Sequence, residues 1–103
     1  MDIEAAARGF AAMGSEARLN VLNAVIRAGA DGLTVGDIQA RTGIAPSTLA
    51  HHLKFLSAAG LLAQEREGRT TVNRAAFDHL EGLADFILRE CCADVQPRAA
   101  NNG

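Results

Sequence analysis

Apolar residues recur at three- and four-residue intervals through most of the chain, and the place where that period changes separates helices from a hairpin. Ile3, Ala6, Ala7, Phe10 and Met13 predict a helix with one apolar stripe over residues 2–13. Gly14 breaks it, and Ser15 is placed to cap a second helix over about 15–28. There Leu19, Leu22 and Ile26 share a face with Val21 and Val25 beside them, wide enough to be buried on more than one side. Gly29 and Gly32 end it.

Residues 34–60 read as helix, tight turn, helix. Thr34 can cap the first with Asp37 three positions on, Val35, Ile38 and Ala40 supply apolar contacts, and Gly43 stops it. Pro46 suits the first turn of the next helix, where its missing N–H is no loss, and Leu49, Leu53 and Leu56 follow at helical spacing as a core face. About 100° per residue of advance then collects Ser47, Thr48, His51, Lys54 and Phe55 on the opposite face, which has no acid on it. Such a pair is the helix-turn-helix arrangement that lays its second helix in the major groove of DNA. An ordinary helical hairpin with a solvated face is the plainer alternative.

After Gly60 the period shortens. Leu61–Arg66 and Arg69–Arg74 are two short runs around Glu67-Gly68, a good hairpin signal, and Thr70, Thr71 and Val72 are strand formers. A hairpin directly after a recognition helix is a wing, with Arg66 and Arg69 near its tip, in reach of phosphates or the minor groove. The last helix is expected from near Ala75 to about Ala93, with Phe77, Leu80, Ala84, Ile87 and Cys91 in one stripe widened by Leu83 and Leu88. That is more apolar width than the end of one small domain needs. With the first helix it offers a self-complementary surface for a two-fold dimer. Residues 1–94 thus predict one mainly α winged helix-turn-helix domain with a small β-hairpin, and 95–103 a disordered tail.

Composition narrows the functional classes. At 103 residues and 49% apolar, the chain is one globular domain. It has no apolar run of membrane-spanning length and no signal-peptide pattern, so a cytoplasmic home is expected. Its two cysteines, Cys91 and Cys92, are not a disulfide framework. The net charge of −2 opposes nucleic-acid binding, yet residues 38–74 hold Arg41, Lys54, Arg66, Arg69 and Arg74 against only Glu65 and Glu67. Both flanks are acidic, so the positive field sits on the helix-turn-helix and the wing. Ser47, Thr48 and His51 are candidates for base edges or nearby phosphates, and Arg41, Lys54, Arg66 and Arg69 for phosphate neutralisation.

This order of elements resembles the arsenic-repressor (ArsR/SmtB) family of winged-helix regulators. The resemblance is carried by SEARLNVLNAV, TLAHHLKFLSAAGLL, the EREGR wing tip and the late ECC, and it covers about residues 5–94. It implies a homodimeric repressor, joined through its first and last helices, that sits on an imperfect inverted repeat and leaves when an inducer binds. The Cys-Val-Cys-Asp-Leu metal run of many relatives reads Thr34-Val35-Gly36-Asp37-Ile38 here, so its thiols are gone. The zinc pattern of the last helix is not matched either: Asp78 is followed two on by Leu80, and His79 reads as a lone surface histidine.

What remains is Cys91-Cys92, which resembles the cysteine pair that some arsenic sensors of the family carry late in the last helix, without the third cysteine that usually follows. Thiolates are soft ligands that suit trivalent arsenic or antimony. The missing sulfur can come from the other subunit, or two thiolates can serve a methylated arsenical. The same residues support a redox or reactive-sulfur sensor, most easily through an interchain bridge. Inert packing is the third reading. His51-His52 with the cysteines gives no acid/base pair, and the chain has no glycine-rich phosphate loop, so no enzyme is expected. His52 reads as a packed or capping residue. A plain protein-interaction module is the alternative of another class, and it predicts no steep salt dependence of DNA binding.

Overall fold

A computed structural model describes residues 1–95. Each of the first three helices starts on a side-chain cap. Asp2 accepts from Ala5 N at 2.8 Å to open α1 (Ile3–Ala12), and Ser15 Oγ accepts from Arg18 N at 3.1 Å to open α2 (Glu16–Ala28). A 3-10 turn, Gly29–Asp31, leads into β1 (Leu33–Thr34) and then α3 (Val35–Thr42). The entry to α3 is a full capping box: Thr34 Oγ1 accepts from Asp37 N and Asp37 Oδ2 from Thr34 N, both at 3.1 Å. These bonds to Thr34 hold the Asp37 carboxyl below its ordinary pKa, helped by Arg41 one turn on. Gly43, at φ 72°, closes α3, and Pro46 opens α4 (Pro46–Ala58).

β2 (Leu62–Glu67) and β3 (Thr70–Ala75) form the expected hairpin, and α5 (Phe77–Leu88) follows. The turn is Gly68-Arg69 rather than Glu67-Gly68, since Glu67 pairs with Thr70 and Gly68 takes φ 66°. The sheet has three strands in the order β1-β3-β2, with Leu33 opposite Asn73 and Thr34 opposite Val72. β1 was not expected. Asn73, fully buried, ties the sheet together: its Nδ2 donates to Leu33 O at 3.2 Å and its Oδ1 accepts from Gln64 Nε2 at 2.8 Å. The amide satisfied on both sides avoids the penalty of an unpaired buried polar group, about 1–3 kcal/mol.

The core gathers Val21, Leu22, Val25, Ile38, Leu49, Leu53, Leu56, Leu61 and Leu83, so each helix from α2 to α5 contributes. The α4 stripe is buried as the spacing predicts. On α2 the buried face is Val21, Leu22 and Val25, whereas Leu19 is 50% exposed; on α3 Ala40 is exposed. α1 crosses α5 so closely that a Cβ on Gly9 would sit 2.8 Å from Leu83 Cδ1. Either side of that crossing, Ile3, Phe77, Ile87 and Leu88 remain exposed.

The last helix departs most from expectation. It stops at Leu88 instead of Ala93, and Cys91 and Cys92 lie in turns beyond it. They therefore do not continue the helical stripe, and Cys92 takes φ 62°. His79 is half-buried rather than on the surface, with its ring against Gly60. Of the expected tail, residues 96–103 lie outside the described residues.

Candidate nucleic-acid interface

Burying Leu49, Leu53 and Leu56 turns the other side of α4 outward, and Ser47, Thr48, His51 and Lys54 are all exposed there. Phe55, also exposed, packs its ring against His51 at 5.0 Å between centroids and 78° between planes. Behind it, the Arg18 guanidinium lies 5.1 Å from the Phe55 centroid. Arg18 is held there by α1, because its Nε donates to Ala12 O at 2.5 Å and Nη2 to Ala11 O at 3.5 Å. An arginine of α2 thus closes the end of α1 and backs the outward face of α4. Sequence reasoning assigned it no role; His51 and Phe55 stand one helical turn apart, but nothing local brings Arg18 to them.

His52, next along α4, is half-buried with no partner for its Nδ1 among the described residues. It packs, as expected, but caps nothing. Burial, and then the nearby Arg18 and His51 charges, hold its pKa below the ordinary value.

Arg41 sits in the last turn of α3. With Arg27, Asn20, Asn23 and Thr42 it borders a polar depression beside the helix pair, so Arg27 and the two asparagines are further polar groups that the sequence did not single out. On the wing, Arg66 Nε donates to Gly68 O at 3.2 Å and Arg69 occupies the second turn position, both exposed. Among the described residues neither pairs with a carboxylate. Arg74 behaves differently: it pairs with Glu65 at 2.6 Å and Glu67 at 3.0 Å and donates from Nε to Ala30 O at 2.7 Å. Its charge is spent on the wing's own acids, which leaves Arg66 and Arg69 as the unopposed cations there.

Cys91 and Cys92 lie elsewhere, past the end of α5, exposed and with their Sγ atoms 3.6 Å apart. Among the described residues no group of three or more His, Cys, Asp or Glu converges as a metal site, so the pair has no third ligand among them. No helix of the described residues is long and apolar enough to cross a membrane.

Comparison with known proteins agrees with this geometry. The family described as "Helix-turn-helix domain" matches residues 13–65, from the end of α1 into β2. No curated protein sequence matches the chain. Among solved structures, an ArsR-like transcriptional regulator from Rhodococcus sp. RHA1 superposes with a TM-score of 0.75 at 26% identity, over 88% of this chain and 82% of that one. Reduced HlyU from Vibrio cholerae N16961 gives 0.67 at 25% identity over 86% and 90%. The homodimeric winged helix-turn-helix DNA-binding domain of Mb0332 from Mycobacterium bovis, a possible ArsR-family regulator, gives 0.65 at 25% identity over 93% and 89%.

Proposed function

Since this chain belongs to the helix-turn-helix domain family and is a transcriptional regulator of the ArsR winged-helix type, we propose that it acts as a homodimeric repressor in the cytoplasm, released from DNA by a thiophilic inducer at Cys91 and Cys92. The observation that carries the DNA-binding part is the exposed, acid-free face of α4 flanked by a wing whose acids are already paired to Arg74. In this reading Ser47, Thr48 and His51 meet base edges or adjoining phosphates, and Arg41, Lys54, Arg66 and Arg69 neutralise phosphates. The exposed Ile3, Phe77, Ile87 and Leu88 are the surface two copies would share. A two-fold dimer spaces its recognition helices by about 34 Å, one turn of DNA, which calls for an imperfect inverted repeat. The function is binding, with no catalytic step.

The inducer reading rests on the paired thiols. Two of them condense with a methylated trivalent arsenical carrying two hydroxyls, forming two As–S bonds and releasing two waters; arsenite or antimonite would need a third sulfur, from the other subunit. Moving the repressor from almost fully bound to almost fully free takes about 10⁴-fold preference for the free form, about 5.5 kcal/mol. A second reading is favoured by the 3.6 Å approach of the sulfurs outside any helix. An oxidant such as peroxide would then take two electrons and two protons from the pair and leave a disulfide, or reactive sulfur would bridge it.

Anisotropy of the reduced protein on DNA from upstream of its own gene tests both. Changing Cys91 and Cys92 to Ser is expected to leave DNA affinity unchanged and to abolish release by the methylated arsenical. Release that survives the substitution moves the sensor elsewhere, and release by peroxide alone selects the redox reading.

A further inference from the structure

A concave pocket of about 420 Å³ opens between α1, the start of α2 and the C-terminal half of α4. That volume lies in the range that holds small organic ligands. Its apolar lining is made of small residues, Ala11, Ala58 and Ala59, with the Phe55 ring as one wall. Its charged lining residues are Arg8 and Arg18, and among the described residues no carboxylate lines it. Arg18 is fixed by the α1 carbonyls through Nε and Nη2, so it has little freedom left to lose, and its Nη1 makes no hydrogen bond among the described residues. Arg8 makes no ion pair or side-chain hydrogen bond among the described residues. A pocket of this kind selects its occupant by chemistry: a flat apolar body against the alanines and Phe55, and an anionic head that can accept N–H donors from Arg8 and Arg18.

We propose that this pocket is an effector site for a small amphipathic carboxylate, separate from the cysteines, whose occupation weakens DNA binding. Phe55 links the two functions, because it forms the pocket wall and packs edge-on against His51 on the outward face of α4. A carboxylate there cancels part of the positive field of Arg8 and Arg18 behind that face. It also lowers the net charge that Arg18 presents to the Phe55 ring, which backs His51.

Isothermal titration with indole-3-acetate and its neutral isostere indole-3-acetamide reads the chemistry directly. The acid is expected to bind at one per chain and the amide about tenfold more weakly or worse. Ala58→Leu, which projects a larger side chain into the pocket from an exposed helical position, is expected to abolish binding with an unchanged melting temperature. Arg8→Gln weakens binding without touching the end of α1, which Arg18 also closes. Saturating indole-3-acetate is expected to raise the DNA dissociation constant about fivefold or more in the wild type and in the chain with both cysteines changed to Ser, but not in Ala58→Leu. Equal binding of acid and amide, binding that survives Ala58→Leu, or no binding at all overturns the site. Binding with unchanged DNA affinity overturns its effector role. Loss of DNA affinity and salt dependence in Arg8→Gln, with no indole-3-acetate bound by the wild type, gives the arginines to the DNA backbone instead. The titration itself does not depend on DNA binding, so failure of the repressor reading and failure of the pocket are told apart.

Discussion

Arg69 and Arg74 sit on the same hairpin and do opposite things with the same charge. Arg74 is consumed by Glu65 and Glu67, while Arg69 stands exposed at the turn. Arg69→Ala is therefore expected to weaken binding to every DNA sequence alike and to flatten the plot of log affinity against log salt by about one ion equivalent. Anisotropy across a salt series measures it, and an unchanged slope removes the wing from the contact. His52 gives the residue scale a pH dependence. Its folded-state pKa lies below the ordinary 6.5, so on acidification the unfolded chain takes up the proton first. Stability from this group is complete above pH 6.5 and falls as the pH drops below it towards the folded-state value. Melting curves at about pH 7.5 and about pH 5.5 should show a smaller drop for His52→Gln than for the wild type; equal drops would assign the loss to other groups. The exposed cations and hydroxyls of α4 were legible because a buried leucine stripe dictates what its far side presents. Arg74 was not, since a count of charges along the chain cannot see that two carboxylates across the hairpin absorb it.

At the scale of elements, the capping box at Thr34 ties a local pattern to the placement of α3. Thr34→Ala removes the acceptor for Asp37 N and is expected to lower stability by about 1 kcal/mol in chemical denaturation; a loss near zero would mean that β1 alone holds the entry. The first four helices were readable from the sequence because each begins on a cap or a proline and ends near a glycine. β1 was not, because two residues cannot display an alternation, and Leu33 and Thr34 become a strand only through β3, far along the chain. The hairpin turn slipped by one position because both candidate loops contain Gly68. Register decides: Glu67 lies opposite Thr70, and Asn73 and Ala75 share one buried face of β3 with Val72 buried on the other. The end of α5 was overrun for a physical reason too. Apolar spacing continues to Cys91, but Ile87 and Leu88 are already largely exposed among the described residues, so the pattern outlasts the packing that would support it.

For the molecule as a whole, those unsupported residues are the place to test assembly. Ile87 is 61% exposed, so Ile87→Glu costs one chain little, yet it would put two carboxylates into a shared apolar seam. Sedimentation is expected to show a folded monomer, with DNA affinity reduced because a single recognition helix holds half the site; a dimer that persists would place the seam elsewhere. The wing also has a role apart from any contact with DNA. The order β1-β3-β2 leaves β2 as an outer strand, with no strand paired to its far side among the described residues. Five of its six residues are exposed, and Glu65, Arg66 and Glu67 crowd its far end. A second strand docking there would have to bury those charges or strip Arg74 from its carboxylates. The hairpin thereby guards its own open edge against sticking to other copies, and the charges proposed to meet DNA phosphates would also lend the chain colloidal stability.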